Sequence, residues 1–167
     1  MKTFKEFLEE SSLSRIKSKS DKGGMAIISG SRGAKSAKEN KARAKQLDRD
    51  IKGKGLPGAT KVSGRWDEKD DKTGKTTKVK ERSHVVTSGK KGKRKFKKAI
   101  KALGKKYGQD AVLTQTKKTG TVAATRKGGL GKSAGKNVKR FTAGTMKPGR
   151  SSSDGDTKIK NKTFTYG

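Results

Sequence analysis

Seven side chains in this sequence are of the types that carry acid-base or metal chemistry: Glu39, Asn40, Glu68, Glu81, Ser83, His84 and Gln109. Three carboxylates are enough in number to hold a magnesium ion for nuclease chemistry. Ser83 and His84 cannot form a hydrolase dyad by adjacency, because successive side chains of a strand point to opposite faces. His84 is the only histidine and cysteine is absent, which excludes His-rich metal sites, thiolate metal sites, disulfides and a cysteine nucleophile. Each carboxylate also has a structural reading: Glu39 caps a helix, Glu68 ends a strand, and Glu81 lies among basic residues with which it can pair. Those readings are the stronger, so the expectation is a non-enzymatic protein with no catalytic residue, metal or cofactor.

Gly74-Lys75-Thr76 and Gly131-Lys132-Ser133 invite a nucleotide-binding reading. A P-loop needs a further glycine five positions earlier, so that backbone N–H groups can wrap the phosphates. Those positions hold Lys69 and Arg126. Neither stretch joins an apolar strand to a helix, and Gly- and Lys-rich composition accounts for both.

The elements that must position these residues come from a chain of 167 residues with 26% hydrophobic and 37% charged residues and a net charge of +31. Such a composition lies near the disordered regime and predicts a small ordered centre with mobile edges. No apolar run approaches the ~20 residues that cross a bilayer, so no membrane partner is expected. The charge attracts polyanions through counterion release.

Met25-Ala-Ile-Ile28 reads as a buried strand, and Ser36-Ala-Lys-Glu39 as the capping box of a helix carrying Ala37, Ala44, Leu47 and Ile51 on one face. Val62 and Trp66 alternate on a second strand, with Trp66 as a core anchor, and residues 79–87 form a third. Phe96, Ala99, Ile100, Leu103 and Tyr107 mark the clearest helix. Residues 111–116 make a strand that residues 121–124 can join. The order β-α-β-β-α-β predicts an α+β domain over residues 25–125, a sheet with two helices on one face. Flexible basic extensions flank it: a linker at 11–24 and a Gly/Ser/Lys-rich tail at 126–167, with a possible edge strand at 163–166.

Met25 to Arg32, Glu39-Asn40, Gly64-Arg65-Trp66-Asp67-Glu68, Glu81-Arg-Ser83, and Leu103-Gly followed by Tyr107-Gly-Gln-Asp-Ala-Val112 resemble a family of small bacterial and phage α/β domains of unknown function. The resemblance implies a fold and no activity.

At the other end of the chain, Phe4, Phe7 and Leu8 fall on one face of a short helix whose remaining surface carries Lys2, Lys5, Glu6, Glu9 and Glu10. Residues 1–10 resemble the capsid-targeting peptide of T-even-type phage internal proteins. That resemblance implies entry into the prohead and cleavage of the Leu8-Glu9-Glu10 triplet before Ser11 by the prohead protease. The basic surface of the second helix (Lys93, Arg94, Lys95, Lys97, Lys98, Lys101, Lys105 and Lys106), with Arg126 and Lys127 in the tail, is the candidate phosphate-binding face.

The leading expectation is therefore a phage internal virion protein that binds DNA non-specifically, RNA being an equal target for charge alone. Its partners would be the prohead scaffold or core and its protease, and its location first the host cytoplasm and then the capsid interior. The alternatives are a nucleic-acid-processing or modifying enzyme on the α+β domain, and a nucleoid- or ribosome-associated structural protein.

Overall fold

The computed structural model describes residues 4–69, 73–149, 156–159 and 162–166. Three helices, α1 (Phe4–Lys22), α2 (Ala37–Gly53) and α3 (Lys93–Lys106), accompany ten strands. The first five strands are β1 (Met25–Ile28), β2 (Thr60–Lys69), β3 (Thr76–Thr87), β4 (Ala111–Thr116) and β5 (Thr119–Ala124). A ribbon of β6 (Lys132–Ser133) and β7 (Lys136–Asn137) follows, then β8 (Arg140–Pro148), β9 (Asp156–Ile159) and β10 (Lys162–Tyr166).

The architecture is not the expected β-α-β-β-α-β sheet with two helices on a face. Eight strands close into an antiparallel barrel in the order β1-β3-β2-β9-β10-β8-β5-β4. Without its last three strands the sheet would be open, with β2 and β5 as its edges. The stretch expected to be a basic tail supplies β8, β9 and β10, which bridge those two edges and remove them.

Side chains alternate across the barrel wall with period two. Met25, Val62, Val85, Met146, Ile159 and Phe164 face the lumen together with Ile16 of α1. Their neighbours Ala26, Ile28 and Val86 face outward and pack against Leu47 and Ile51 of α2 and Phe96, Ile100 and Leu103 of α3. The wall thus separates two cores.

The helix α1 runs through most of residues 11–24, the stretch read as a linker, and contacts β1, β3, β4, β9 and β10. Its Ser20 is buried against Gln115 of β4, whose Nε2 donates to Ser20 Oγ at 3.0 Å. Phe4, Phe7, Leu8, Glu10 and Ser11 belong to this helix by backbone, and their side chains lie outside the described residues, as does that of Trp66.

The second helix starts at the expected capping box. Ser36 Oγ accepts from the Glu39 N–H at 3.2 Å, and Glu39 Oε2 accepts from the Ser36 N–H at 2.9 Å. In α3 the apolar stripe is buried and the lysines point outward. Gly104 of α3 permits close approach to β4, since a Cβ there would stand 2.5 Å from Val112 Cγ1.

Candidate active site

One end of the barrel, where β1 stops and β4 starts, collects polar side chains. Because Val85 faces the lumen, period two places Ser83 and Glu81 on the same side of β3. Glu81 pairs with Gly64 of β2, so no side chain opposes it on that strand. Burial pushes the Glu81 carboxyl above the ordinary carboxylate range, while hydrogen-bonding groups of Ser29 and Gln109 and the charge of Arg32 pull the other way.

The loop after β1 is fixed by its neighbours. Ser29 Oγ donates to the Arg82 carbonyl at 2.7 Å and accepts from the Ser31 N–H at 3.0 Å. Asn40 of α2 clasps the next residues: its Oδ1 accepts from the Arg32 N–H at 2.9 Å, and its Nδ2 donates to the Arg32 carbonyl at 3.0 Å. Arg43, one helical turn on, donates from Nε to the Gly30 carbonyl and from Nη2 to the Tyr107 carbonyl, each at 2.6 Å. Gln109 donates to the Ser31 carbonyl at 3.2 Å, and the Arg32 guanidinium donates to the Gly108 carbonyl. Two segments distant in sequence, 29–32 and 107–110, are thus held beside Glu81 by side chains of α2 and α3's end.

Of the seven residues singled out in the sequence, the structure brings Glu81 and Gln109 together and gives Asn40 the task of holding Arg32. Glu39 is spent on the capping box, which holds its carboxyl below the ordinary range, chiefly through the Ser36 backbone. Glu68 has its side chain outside the described residues. Ser83 and His84 face opposite sides of the wall, Ser83 with Val85 and His84 with the outward Val86. Ser29, Ser31, Arg32 and Arg43 were missed, although Ser29-Gly-Ser-Arg32 directly follows an apolar strand, where a chain leaves a sheet and active groups collect.

No group of three or more metal-ligating side chains exists among the described residues. The two Gly-Lys-Ser/Thr stretches lead into strands β3 and β6, with Gly74 at φ +67° and Gly131 at φ +72°, and neither opens a helix. The proposed phosphate-binding residues of α3 are exposed, and one of them, Lys106, is already paired with Asp50, as Arg126 beyond β5 is with Asp110, both at 2.7 Å.

Glu81 thus lies partly buried at one end of the closed antiparallel barrel, with Ser29, Gln109 and Arg32 around it. The chain belongs to the S-adenosylmethionine lyase family, whose model matches residues 26–166. That match overturns the expectation of a DNA-binding internal virion protein partnered by the prohead scaffold, and with it the expectation of a protein without enzymatic activity. The physical reason is that net charge reports the solvated surface, and the lysines that suggested DNA are exposed there. The N-terminal segment that suggested capsid entry lies outside the matched residues, and the capsid interior loses its support.

No curated protein matches this sequence. Among solved structures, a phage SAM lyase in complex with S-methyl-5'-thioadenosine is similar, at 13% identity over 72% of this chain and 89% of that one, with a TM-score of 0.39.

Proposed function

We propose that the protein cleaves S-adenosylmethionine at the barrel rim, with Glu81 as the central side chain. The observation that carries this reading is the family match across residues 26–166. The rim geometry supports it. S-adenosylmethionine is a sulfonium cation that also bears an ammonium, ribose hydroxyls and one carboxylate. The Glu81 carboxylate complements the first three, and the Arg32 guanidinium complements the last. A local acid is needed, because a chain of net charge +31 otherwise repels a cationic substrate.

The chemistry asks little of the protein beyond placement. The bond between sulfur and the γ-carbon of the methionine portion breaks, and its electron pair moves to sulfur, leaving neutral 5'-methylthioadenosine. A lyase adds no water, so the four-carbon fragment satisfies its γ-carbon internally. Its own carboxylate can close on that carbon as a lactone, with no proton moved. Otherwise a base removes a β-proton and an alkene forms, and Glu81, with its raised pKa, is the base available. Both routes gain from a site that holds the reacting atoms close and excludes water.

The test is incubation of the purified full chain with S-adenosylmethionine, following 5'-methylthioadenosine by liquid chromatography and mass spectrometry. Proton NMR of the second product distinguishes lactone from alkene. Glu81→Gln should lower kcat/KM by about a hundredfold or more, the scale of losing one electrostatic group from an active site. Absence of cleavage by the wild type would overturn the activity, and full activity in Glu81→Gln would overturn the location.

A further inference from the structure

A cleft away from Glu81 is lined by residues of α2, β2, β3 and β9. Its volume is about 420 Å³. Five cations line it: Lys41 and Lys45 from α2, Lys61 from β2, Arg82 from β3 and Lys158 from β9. We infer that this cleft binds a small polyphosphate anion, a di- or triphosphate group, as a site separate from the rim that holds Glu81.

The arrangement follows from register. Ser63 of β2 pairs with Arg82 on one side and with Lys158 on the other, so two cations flank one hydroxyl in a row across three strands. Lys41 and Lys45 are i and i+4 on α2 and share its face above that row. Like charges in both positions repel and destabilise the free protein. Among the described residues, Lys61 alone of the five has an acidic neighbour, Asp48 Oδ2 at 3.5 Å. Lys41, Lys45, Arg82 and Lys158 make no ion pair among the described residues. An anion with several oxygens would relieve this repulsion.

His84 forms part of the wall. It is buried, neither ring nitrogen makes a well-formed hydrogen bond, and Nε2 stands 3.2 Å from Asp48 Oδ1. Asp48 therefore links the imidazole to Lys61. An anion that draws Lys61 away changes the charge facing His84, which makes this single histidine a reporter of occupancy.

The chemistry of the lining narrows the ligand. No Phe, Tyr or Trp lines the cleft, and the His84 imidazole is buried in its wall, so no exposed ring there stacks a nucleobase. Ammonium, guanidinium and hydroxyl donors recognise phosphate oxygens. A cleft walled by a helix on one side admits a compact anion, whereas a duplex backbone requires an open face. The lyase substrate is a cation and does not suit this lining, so the two sites take different ligands.

The experiment is isothermal titration of the full chain with inorganic tripolyphosphate at moderate salt, with the His84 ring resonances followed in parallel by NMR. The comparison is the double variant Lys45→Glu with Lys158→Glu, both positions being exposed. The expected result is one saturable site, shifted His84 resonances, and binding about tenfold or more weaker in the variant. Circular dichroism and retained cleavage of S-adenosylmethionine by the variant show that its fold survives. No saturable binding, binding unchanged in the double variant, or displacement of tripolyphosphate by a short DNA duplex at equal phosphate concentration would overturn the inference. The rim reading is judged by cleavage alone, so either can fail without the other.

Discussion

The Tyr166 hydroxyl donates to Gln115 Oε1 at 2.6 Å, joining β10 to β4 across the barrel lumen. Gln115 in turn donates through Nε2 to Ser20 of α1 and to the Lys117 carbonyl, each at 3.0 Å. One buried amide therefore ties a helix and two strands that are not neighbours in the barrel.

Removing one member of this network leaves a buried partner unsatisfied. Tyr166→Phe should destabilise the protein by about 1–3 kcal/mol, the cost of an orphaned buried polar group. Gly120→Ala should act on the same contact by sterics, because its Cβ would stand 2.7 Å from Tyr166 Cε1. Thermal unfolding of both variants checks this, and a Gly120→Ala midpoint equal to wild type would contradict the close packing.

Glu81 is expected to trade stability for activity. Its folded-state pKa lies above 4.5, so folding favours the protonated form; this stabilisation is present below pH 4.5 and is lost as pH rises through the folded value. At neutral pH the ionised group is a liability. Glu81→Gln should raise the unfolding midpoint at pH 7 while abolishing most cleavage, and the gain should shrink as pH falls towards 4.5 and below. A midpoint lowered at pH 7 would contradict the desolvated state of this carboxyl.

His84 acts with the opposite sign. Burial, the larger effect, lowers its pKa below 6.5, with Asp48 opposing and Lys61 assisting. The folded state holds it neutral, so its contribution is present above pH 6.5 and is lost as pH falls through the folded value. The pH-stability profile of His84→Gln should be flatter than wild type below pH 6.5, measured by urea unfolding. Parallel profiles would refute the assignment.

The Tyr107 hydroxyl donates to Asp50 Oδ2 at 2.6 Å beside Lys106 at 2.7 Å, fastening α3 to α2. Lys106 first, and Tyr107 second, hold the Asp50 carboxyl below 3.8. Its stabilisation is present above pH 3.8 and fades as pH falls through the folded value. Tyr107→Phe should cost about 1.5–3 kcal/mol at neutral pH, as for a hydrogen bond to a charged group. The deficit should narrow in acid, which urea unfolding at several pH values would measure.

What the sequence showed of this fold was local. The capping box at Ser36 and the stripe from Phe96 to Leu103 are short-range patterns, and both helices formed where those patterns lie. Barrel closure depends on pairing between segments far apart, such as Gly64 with Thr157, and no local period encodes it. The closing strands were also poor in signal, since among the described residues β9 buries Ile159 alone and β10 Phe164 alone. In α1, Ile16 and Ser20 face the lumen among exposed lysines and serines, too few apolar residues to stand out. Glu81 was visible as a candidate, but its burial was not. Pairing with basic neighbours and desolvation at a barrel rim predict opposite shifts, and only the fold decides between them.

The order in which strands enter the barrel has a consequence for synthesis. A nascent chain can complete the α2–α3 core and the Glu81 rim once β5 has left the ribosome. The lumen stays open along the β2 and β5 edges until β8, β9 and β10 emerge. During that interval Val62 and Met25 face an unsealed cavity, and two exposed strand edges can pair with another nascent chain.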